Sequence, residues 1–360
     1  MNRIIIIGNG FDLAHSMETR YSDFVLQLHK DVIIECFEKG ICIKNDKQIS
    51  REVYYYVDEL FEIEIPKYPN IIDLIKTIIS YDNLGEIIES FKKINVKFNC
   101  FSKLLNSNKS LWFNFEKDYF DELSRIFTDG GDVEKLNLQF LAIRKRLIRY
   151  IESKQIFLDQ KHFEQPQVKK IIEYFTEKID ESTPNEILFL SFNYTRTLGE
   201  YFFRINQKIK SEIIHIHGNI NSSSNEIILG YDNDRNPIFN KIINGSEPIY
   251  LDFIKSILYS NNDYSKKLDD FINKDKFQIQ IYGHSCGVSD FSILRQIFEN
   301  NNCNNIKIFY DPTNAPNDFT DKVKHINLML ENKSNAKKII PLTASKPMPV
   351  ISSKFRLIES

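Results

Sequence analysis

The chain has 360 residues, of which 42% are hydrophobic and 27% charged, and its formal net charge is −2. These proportions are ordinary for globular proteins, and the length suits two domains or one domain with a large insertion. The small net charge argues against a direct nucleic-acid ligand, and no apolar stretch reaches the ~20 residues of a membrane-spanning helix.

Short apolar or β-branched runs predict strands that are covered on both faces. They lie at residues 3–7, 186–192, 212–216, 226–229, 277–282 and 305–310. Helical spacing of apolar residues follows several of them, at 195–209, 291–298 and 318–330. The alternation predicts an α/β fold, with a Rossmann-like, mostly parallel sheet.

The region from residue 31 to 180 has a different pattern and reads as helical almost throughout. After a short strand near 41–43, apolar residues recur every three or four positions at 71–79, 84–94, 111–127, 133–151 and 168–179. We therefore predict a helical insertion at 31–180. It interrupts a nucleotide-binding domain formed by 1–30 and 181–345, and a tail follows at 346–360.

The end of the first predicted strand is the most informative segment, because four isoleucines run directly into Gly8, Asn9 and Gly10. Such a turn leaves the following backbone N–H groups bare, and they can cradle a phosphate at the next helix. Leu13 replaces the third glycine of the dinucleotide fingerprint, so the turn alone does not identify a nucleotide site.

Three further predicted strands also end in polar or glycine residues, within 190–195, 215–219 and 282–287. In an open parallel sheet the carboxyl ends of the strands share one edge, where the ligand crevice lies. We expect these strand ends and the first one to converge, although they span most of the sequence.

These segments resemble the AbiH family of bacterial abortive-infection proteins, over residues 1 to about 310. The matching motifs are IIGNGFDLAH at 6–15, TxYSDF at 19–24, WxNFE at 112–116, FNYT at 192–195, IHG at 216–218, ILGYD at 228–232 and GHS at 283–285. Ser16, Met17 and Glu18 stand where the family usually has Gly-Leu-Pro. The resemblance implies an anti-phage defence protein, with a phage-derived trigger and a homo-oligomer among the expected partners.

The same landmarks are similar, more remotely, to the sirtuin NAD-binding domain. The resemblance implies that Asn193 touches the nicotinamide ribose and that His217 is the catalytic base. The NAD-binding residues that it implies are Gly8, Gly10 and Phe11 at the pyrophosphate, with Gly283 and Ser285 on the adenosine side. Sirtuins carry a four-cysteine zinc module that this chain lacks, so NAD⁺ hydrolysis fits better than protein deacylation.

The implied chemistry is coherent, because cleavage of the nicotinamide–ribose bond builds positive charge on the sugar. A carboxamide such as Asn193 can hold the ribose hydroxyls and a water in place, and an imidazole such as His217 can accept a proton. Asp12 and Asp290 are further candidates for hydrogen bonds to a ribose. We predict an NAD⁺ glycohydrolase, and the alternative is a sensor that binds NAD or ADP-ribose without cleaving it.

Simpler roles and other site chemistries are also open. One alternative is that His217 is a strand-end histidine with ordinary hydrogen bonds and that Asn193 caps the following helix. The histidines at 215, 217 and 284 with Asp232 form a conceivable metal site, but nothing else at ligand spacing supports it, and we predict no metal. Five cysteines without a C-x-x-C pair indicate a reducing compartment, so we predict a cytoplasmic protein.

A serine hydrolase is a further alternative, because GHSCG at 283–287 matches the G-x-S-x-G nucleophile elbow and follows a predicted strand. Asp311 and His325 come later in the triad order. Two features argue against it. The next helix begins several residues after Ser285, and little sequence remains for further strands.

Overall fold

The computed structural model describes residues 1–39, 41–44, 52–66, 71–93, 95–105, 112–155, 163–178, 183–220, 227–314 and 317–351. The chain divides into two compact units. The first consists of Met1–Thr19 together with Ile151–Ser360, and the second consists of Arg20–Tyr150. The strands are β1 (Asn2–Ile7), β2 (Ile41–Lys44), β3 (Glu52–Val57), β4 (Phe61–Pro66), β5 (Lys97–Cys100), β6 (Glu186–Ser191), β7 (Lys210–His215), β8 (Phe277–Tyr282), β9 (Cys303–Tyr310) and β10 (Lys346–Pro347).

The described helices match every helix predicted above, with ends that differ by a few residues. They are α1 (Asn9–Ala14), α2 (Tyr21–Lys39), α3 (Ile71–Ser80), α4 (Leu84–Lys93), α5 (Trp112–Asp129), α6 (Val133–Lys154), α7 (Pro166–Phe175), α8 (Thr197–Asn206), α9 (Pro237–Gly245), α10 (Lys255–Leu258), α11 (Tyr264–Lys274), α12 (Phe291–Glu299) and α13 (Asn317–Met329). The structure is therefore a mixed α/β protein.

The first unit contains a six-stranded sheet in the order β10-β9-β8-β1-β6-β7. Every neighbouring pair of strands in it runs parallel. Strand β1 lies between β6 and β8, so its backbone is paired along both edges. The parallel sheet predicted from the sequence is confirmed.

The isoleucine run of β1 explains why the sheet is covered on both faces. Ile4, Ile5, Ile6 and Ile7 have no exposed surface. Side chains of a strand alternate between faces, and Ile4 and Ile6 pack with residues of α11, α12 and α13, whereas Ile5 and Ile7 pack with residues of α7 and α8. Each such burial contributes about 1.5–3 kcal/mol to folding, which makes β1 the centre of the unit.

Five of the six predicted strands are confirmed, and their ends move by at most two residues. The strand predicted at 226–229 is wrong over 227–229, and residue 226 lies outside the described residues. The N–H of Ile228 donates to the carbonyl of His217 at 2.9 Å, outside any strand ladder. Ile228 is buried in a core of the sheet, so burial rather than strand pairing explains its apolar neighbours.

The second unit contains an antiparallel sheet in the order β2-β3-β4-β5. The short strand near 41–43 is confirmed as β2, but the prediction of helix over β3, β4 and β5 is wrong. Phe61, Ile63 and Ile65 of β4 are buried and the glutamates between them are not. This alternation has the two-residue period of a half-buried strand, and the helical spacing of the neighbouring segments obscures it.

Two segments outside the predicted α/β domain help to complete the first unit. Helix α7 lies within the predicted insertion, yet its apolar residues share a core with Ile5 and Ile7. Lys346–Pro347, in the predicted tail at 346–360, form β10 and extend the sheet beyond β9. Apolar contacts place α7 and backbone pairing places β10, and local spacing encodes neither contact with the distant sheet.

The carboxyl ends of β1 and β8 approach to backbone contact. The N–H of Gly8 donates to the carbonyl of Tyr282 at 3.0 Å, and that of Gly10 donates to the carbonyl of Gly283 at 2.9 Å. Gly283 has a φ of 67°, and a Cβ atom there would lie 2.2 Å from the nitrogen of Phe11. Only glycine fits this position.

We predict that Gly283→Ala lowers the free energy of unfolding by at least about 2 kcal/mol, because it combines a left-handed backbone with a backbone clash. Gly199→Ala is the matched control, since nothing lies within 4 Å of a Cβ atom built in that helix. The free energy of unfolding of the control should rise by up to about 1 kcal/mol. Urea unfolding midpoints measure both, and equal midpoints for the two variants would contradict the prediction.

Candidate functional site

Strand ends converge at one edge of the parallel sheet. The residues that follow β1, β6, β7 and β8 include Gly8, Asn193, His217 and His284. The Nδ2 atom of Asn193 lies 3.0 Å from the carbonyl oxygen of Gly8. The ring centroid of Phe192 lies 5.1 Å from that of His217 and 4.3 Å from that of His284. The structure thus brings together the strand ends that were expected to converge.

A buried carboxylate joins the two histidines. Oδ1 of Asp290 accepts a hydrogen bond from Nζ of Lys255 at 2.7 Å and lies 3.1 Å from Nε2 of His217. Its Oδ2 lies 3.5 Å from Nε2 of His284. The four residues are at most 7% exposed. Burial opposes ionisation, but Lys255 and His217 hold the pKa of Asp290 well below its usual range.

Hydrogen bonds identify the protonated nitrogen of each histidine. The N–H of Cys286 donates to Nδ1 of His284 at 3.0 Å, so the proton of the neutral imidazole sits on Nε2, beside Asp290. The same carboxylate favours a proton on Nε2 of His217, which also lies 3.0 Å from the hydroxyl oxygen of Tyr259. Nδ1 of His217 is therefore the nitrogen that can accept a proton.

The electrostatics keep His217 uncharged. Burial, reinforced by the positive charge of Lys255 and opposed by Asp290, lowers the pKa of His217 to about 4. The imidazole is neutral at physiological pH and can act as a base.

Lys255 is a site residue that sequence reasoning missed, as it missed Tyr259. It is the first residue of α10 and has no exposed surface. A lysine is rarely fully buried unless it is paired, and here Asp290 pairs it. Its local sequence, Phe253-Ile254-Lys255-Ser256, carries no motif. Only its contact with Asp290, distant in sequence, reveals it.

Asn193 is fixed from the side of β1. Its Nδ2 donates to Gly8, and in the next turn Oγ1 of Thr195 donates to Asp12 at 2.8 Å. The alternative that Asn193 caps the following helix is wrong, because α8 begins at Thr197 and the residue before it is the N-cap. The side chain ties the end of β6 to the turn after β1.

The turn after β1 does not present its N–H groups as the sequence predicted. The N–H groups of Gly8 and Gly10 donate to the residues that end β8, and that of Phe11 donates to Gly8 at 2.8 Å. Phe11 has no exposed surface and packs in a core of the sheet. The expectation of bare N–H groups is therefore wrong for these three residues, because the close approach of β8 satisfies them.

The geometry disfavours a serine-hydrolase triad. Ser285 is partly exposed, but Nδ1 of His325 bonds to its main-chain carbonyl oxygen at 2.7 Å. The carboxylate of Asp311 accepts hydrogen bonds from Thr313. The serine, histidine and aspartate therefore do not form the hydrogen-bonded chain of a triad.

Other expectations concern metal, membrane and cysteine chemistry. Among the described residues, no group of three or more His, Cys, Asp or Glu side chains is placed to hold a metal ion. Within the same part of the chain, no helix is long and apolar enough to cross a membrane. The described cysteines at 36, 100, 286 and 303 are free thiols. At the end of β7, burial lowers the pKa of His215 to about 4.

We predict a pH-dependent effect of Asp12→Asn on stability. Burial, opposed by hydrogen bonds from Thr195 and its neighbours, raises the pKa of Asp12 to about 6 from an ordinary 3.8. Between these values the native state keeps a proton that the unfolded chain has released, so the stability of the wild type falls as pH rises from about 4 to 6. The variant lacks this loss. Its free energy of unfolding relative to that of the wild type should therefore increase by up to about 3 kcal/mol between pH 4 and 7.

Urea unfolding at pH 4, 5, 6 and 7 measures this difference. Asp270→Asn, which removes an exposed carboxylate from α11, is the control. The prediction would be contradicted if the difference in free energy of unfolding between the wild type and Asp12→Asn stayed constant over this pH range.

Comparison with known proteins assigns the chain to a family. A search of curated proteins finds no match. The sequence model of the bacteriophage abortive infection AbiH family matches residues 4–311, a span that contains every residue of the site. The chain therefore belongs to the bacteriophage abortive infection AbiH family.

Proposed function

We propose that this protein acts in abortive infection by hydrolysing NAD⁺ to nicotinamide and ADP-ribose at the edge of the parallel sheet. The family suggests the anti-phage role. The observation that carries the proposed chemistry is the neutral imidazole of His217, which is oriented by Asp290 beside the strand end of Asn193. We further propose that the protein works in the cytoplasm, that it forms a homo-oligomer, and that a phage-derived trigger raises its basal activity.

The strand order supports a Rossmann-like interpretation of the sheet. Numbered along the chain within the parallel sheet, β7-β6-β1-β8-β9-β10 reads 3-2-1-4-5-6, the order of the dinucleotide-binding fold. In such sheets the ligand lies beyond the carboxyl ends of the strands, where the order reverses. Here that point is between β1 and β8, next to His284 and Asp290.

The fit to NAD⁺ is better at the nicotinamide ribose than at the pyrophosphate. At the ribose end, His217 supplies an acceptor nitrogen and Asn193 supplies a carboxamide. At the pyrophosphate end, the N–H groups of Gly8, Gly10 and Phe11 are already bonded within the protein. We therefore assign residues to the reacting end only.

In the proposed reaction, the oxygen of a water molecule forms a bond to C1′ of the nicotinamide ribose while the C1′–N bond breaks. Nicotinamide leaves with the electron pair of that bond, which neutralises its pyridinium nitrogen. The proton of the water passes to Nδ1 of His217, and the carboxamide of Asn193 orients the ribose and the water. General base catalysis of this kind contributes about 10²–10⁴-fold to the rate.

A nucleotide sensor that binds without cleavage is the second candidate. The pKa of His217, lowered to about 4 by burial, favours it, because an imidazole with that pKa is a weak general base at physiological pH. Calorimetry separates the candidates, because a sensor binds NAD⁺ or ADP-ribose with micromolar affinity and forms no product.

We predict that the purified protein releases nicotinamide from NAD⁺ and that His217→Ala and Asn193→Ala each reduce the rate at least about 100-fold. The first variant removes the proton acceptor and the second removes the carboxamide. Chromatographic measurement of nicotinamide checks this, with circular dichroism to establish that the variants are folded.

Asn244→Ala is the control, since this exposed asparagine of α9 lies outside the site, and it should retain the wild-type rate. Equal rates in the wild type and both site variants would contradict the assignment of the residues. Binding by the wild type without nicotinamide release would favour the sensor.

A further inference from the structure

A fully buried lysine lies at the centre of the site, outside the sirtuin-like pattern. Nζ of Lys255 lies 2.7 Å from Oδ1 of Asp290, the same oxygen that lies 3.1 Å from Nε2 of His217. The ammonium group and the imidazole therefore share one acceptor atom. The other oxygen of Asp290 lies beside His284.

The family-like ILGYD segment holds Lys255 in place through its backbone. The N–H of Tyr231 donates to the carbonyl of Phe253, and the N–H of Lys255 donates to the carbonyl of Tyr231, each at 3.1 Å. At Gly230, a Cβ atom would lie 2.2 Å from the carbonyl oxygen of Phe253. Glycine is therefore required at this position if Lys255 is to reach Asp290.

Titratable groups face His217 from three segments of the chain. Lys255 and Tyr259 belong to the segment around α10, His284 and Asp290 to the loop after β8, and Tyr194 to the loop after β6. Asp232 adds a negative charge that acts on Lys255 and Asp290. Among these groups, Lys255 exerts the largest charge effect on His217, and it lowers the pKa of the imidazole.

We propose that Lys255 is a positioning residue of this site: its ammonium group neutralises Asp290, fixes that carboxylate beside Nε2 of the two imidazoles and favours the uncharged form of His217. Without the ammonium group, the carboxylate would stabilise a proton on His217 and raise the pKa of the imidazole. The inference rests on the proposed function for its catalytic meaning, but the charge relation is testable without it.

The test is an NMR titration of the His217 imidazole in the full-length protein, in the wild type and in Lys255→Met, Lys255→Arg and Gly230→Ala. His217→Ala assigns the resonance among the seven histidines. In the wild type the imidazole should titrate near pH 4. Lys255→Met should raise the pKa of His217 by about 1 or more, because Asp290 loses its cation. Gly230→Ala should raise it as well, whereas Lys255→Arg should keep it low.

A matched control is Lys307→Met, which removes another buried lysine that pairs with Glu177 on a different part of the sheet. It should leave the titration of His217 unchanged. If Lys255→Met fails to fold, Lys255→Gln, which removes the charge but keeps a hydrogen-bond donor for Asp290, replaces it, and its His217 pKa should also lie above that of the wild type. An unchanged pKa in whichever of these two variants folds overturns the proposal.

The activity measurement separates this inference from the proposed function. If the wild type cleaves NAD⁺, the acid limb of its kcat/KM profile should move to higher pH in Lys255→Met by the same amount as the NMR titration. If the wild type cleaves nothing while the NMR shift occurs, the charge relation stands and the hydrolase fails. An NAD⁺-cleaving wild type whose acid limb does not move in Lys255→Met overturns the role of Lys255.

Discussion

The buried carboxylate of Asp290 is the constraint on which the site depends. An ionised carboxylate away from water is stable only if cations and hydrogen-bond donors surround it, and removing one partner of such a pair costs about 3–5 kcal/mol. Lys255 meets this requirement from one segment of the chain and the histidines at 217 and 284 meet it from two strand ends. The need to satisfy one charge therefore fixes the relative positions of three loops and determines which nitrogen of His217 accepts protons.

The glycine turn after β1 positions the residues around Asp290, whereas its N–H groups at Gly8, Gly10 and Phe11 are bonded within the protein and do not face a phosphate site. Gly8 and Gly10 allow the ends of β1 and β8 to touch, and a Cβ atom at Gly8 would lie 2.5 Å from Cα of His284. The turn thus sets the position of His284, and through it the position of the Asp290 carboxylate. A sequence pattern that suggested a phosphate cradle is explained here by close backbone packing.

Much of the parallel sheet could be predicted from the sequence, because continuous apolar runs such as Ile4–Ile7 identify strands buried on both faces. The convergence of strand ends followed from the parallel arrangement. Lys255 was beyond prediction, since its role depends on a contact with Asp290 that no local spacing encodes. The strands of the second unit were missed for a different reason. The alternation of apolar and polar residues in β4 is short, and the segments on either side of it have helical spacing, so the whole region was predicted to be helical.

The central claim is that a nucleotide occupies the edge of the sheet beside His217. A crystal structure of the protein with ADP-ribose, the proposed product, tests it most directly. We expect the ribose released from nicotinamide to lie within hydrogen-bond distance of Nδ1 of His217 and of the carboxamide of Asn193. Ordered ADP-ribose at another place on the protein, without contacts to the imidazole and the carboxamide, would contradict this claim.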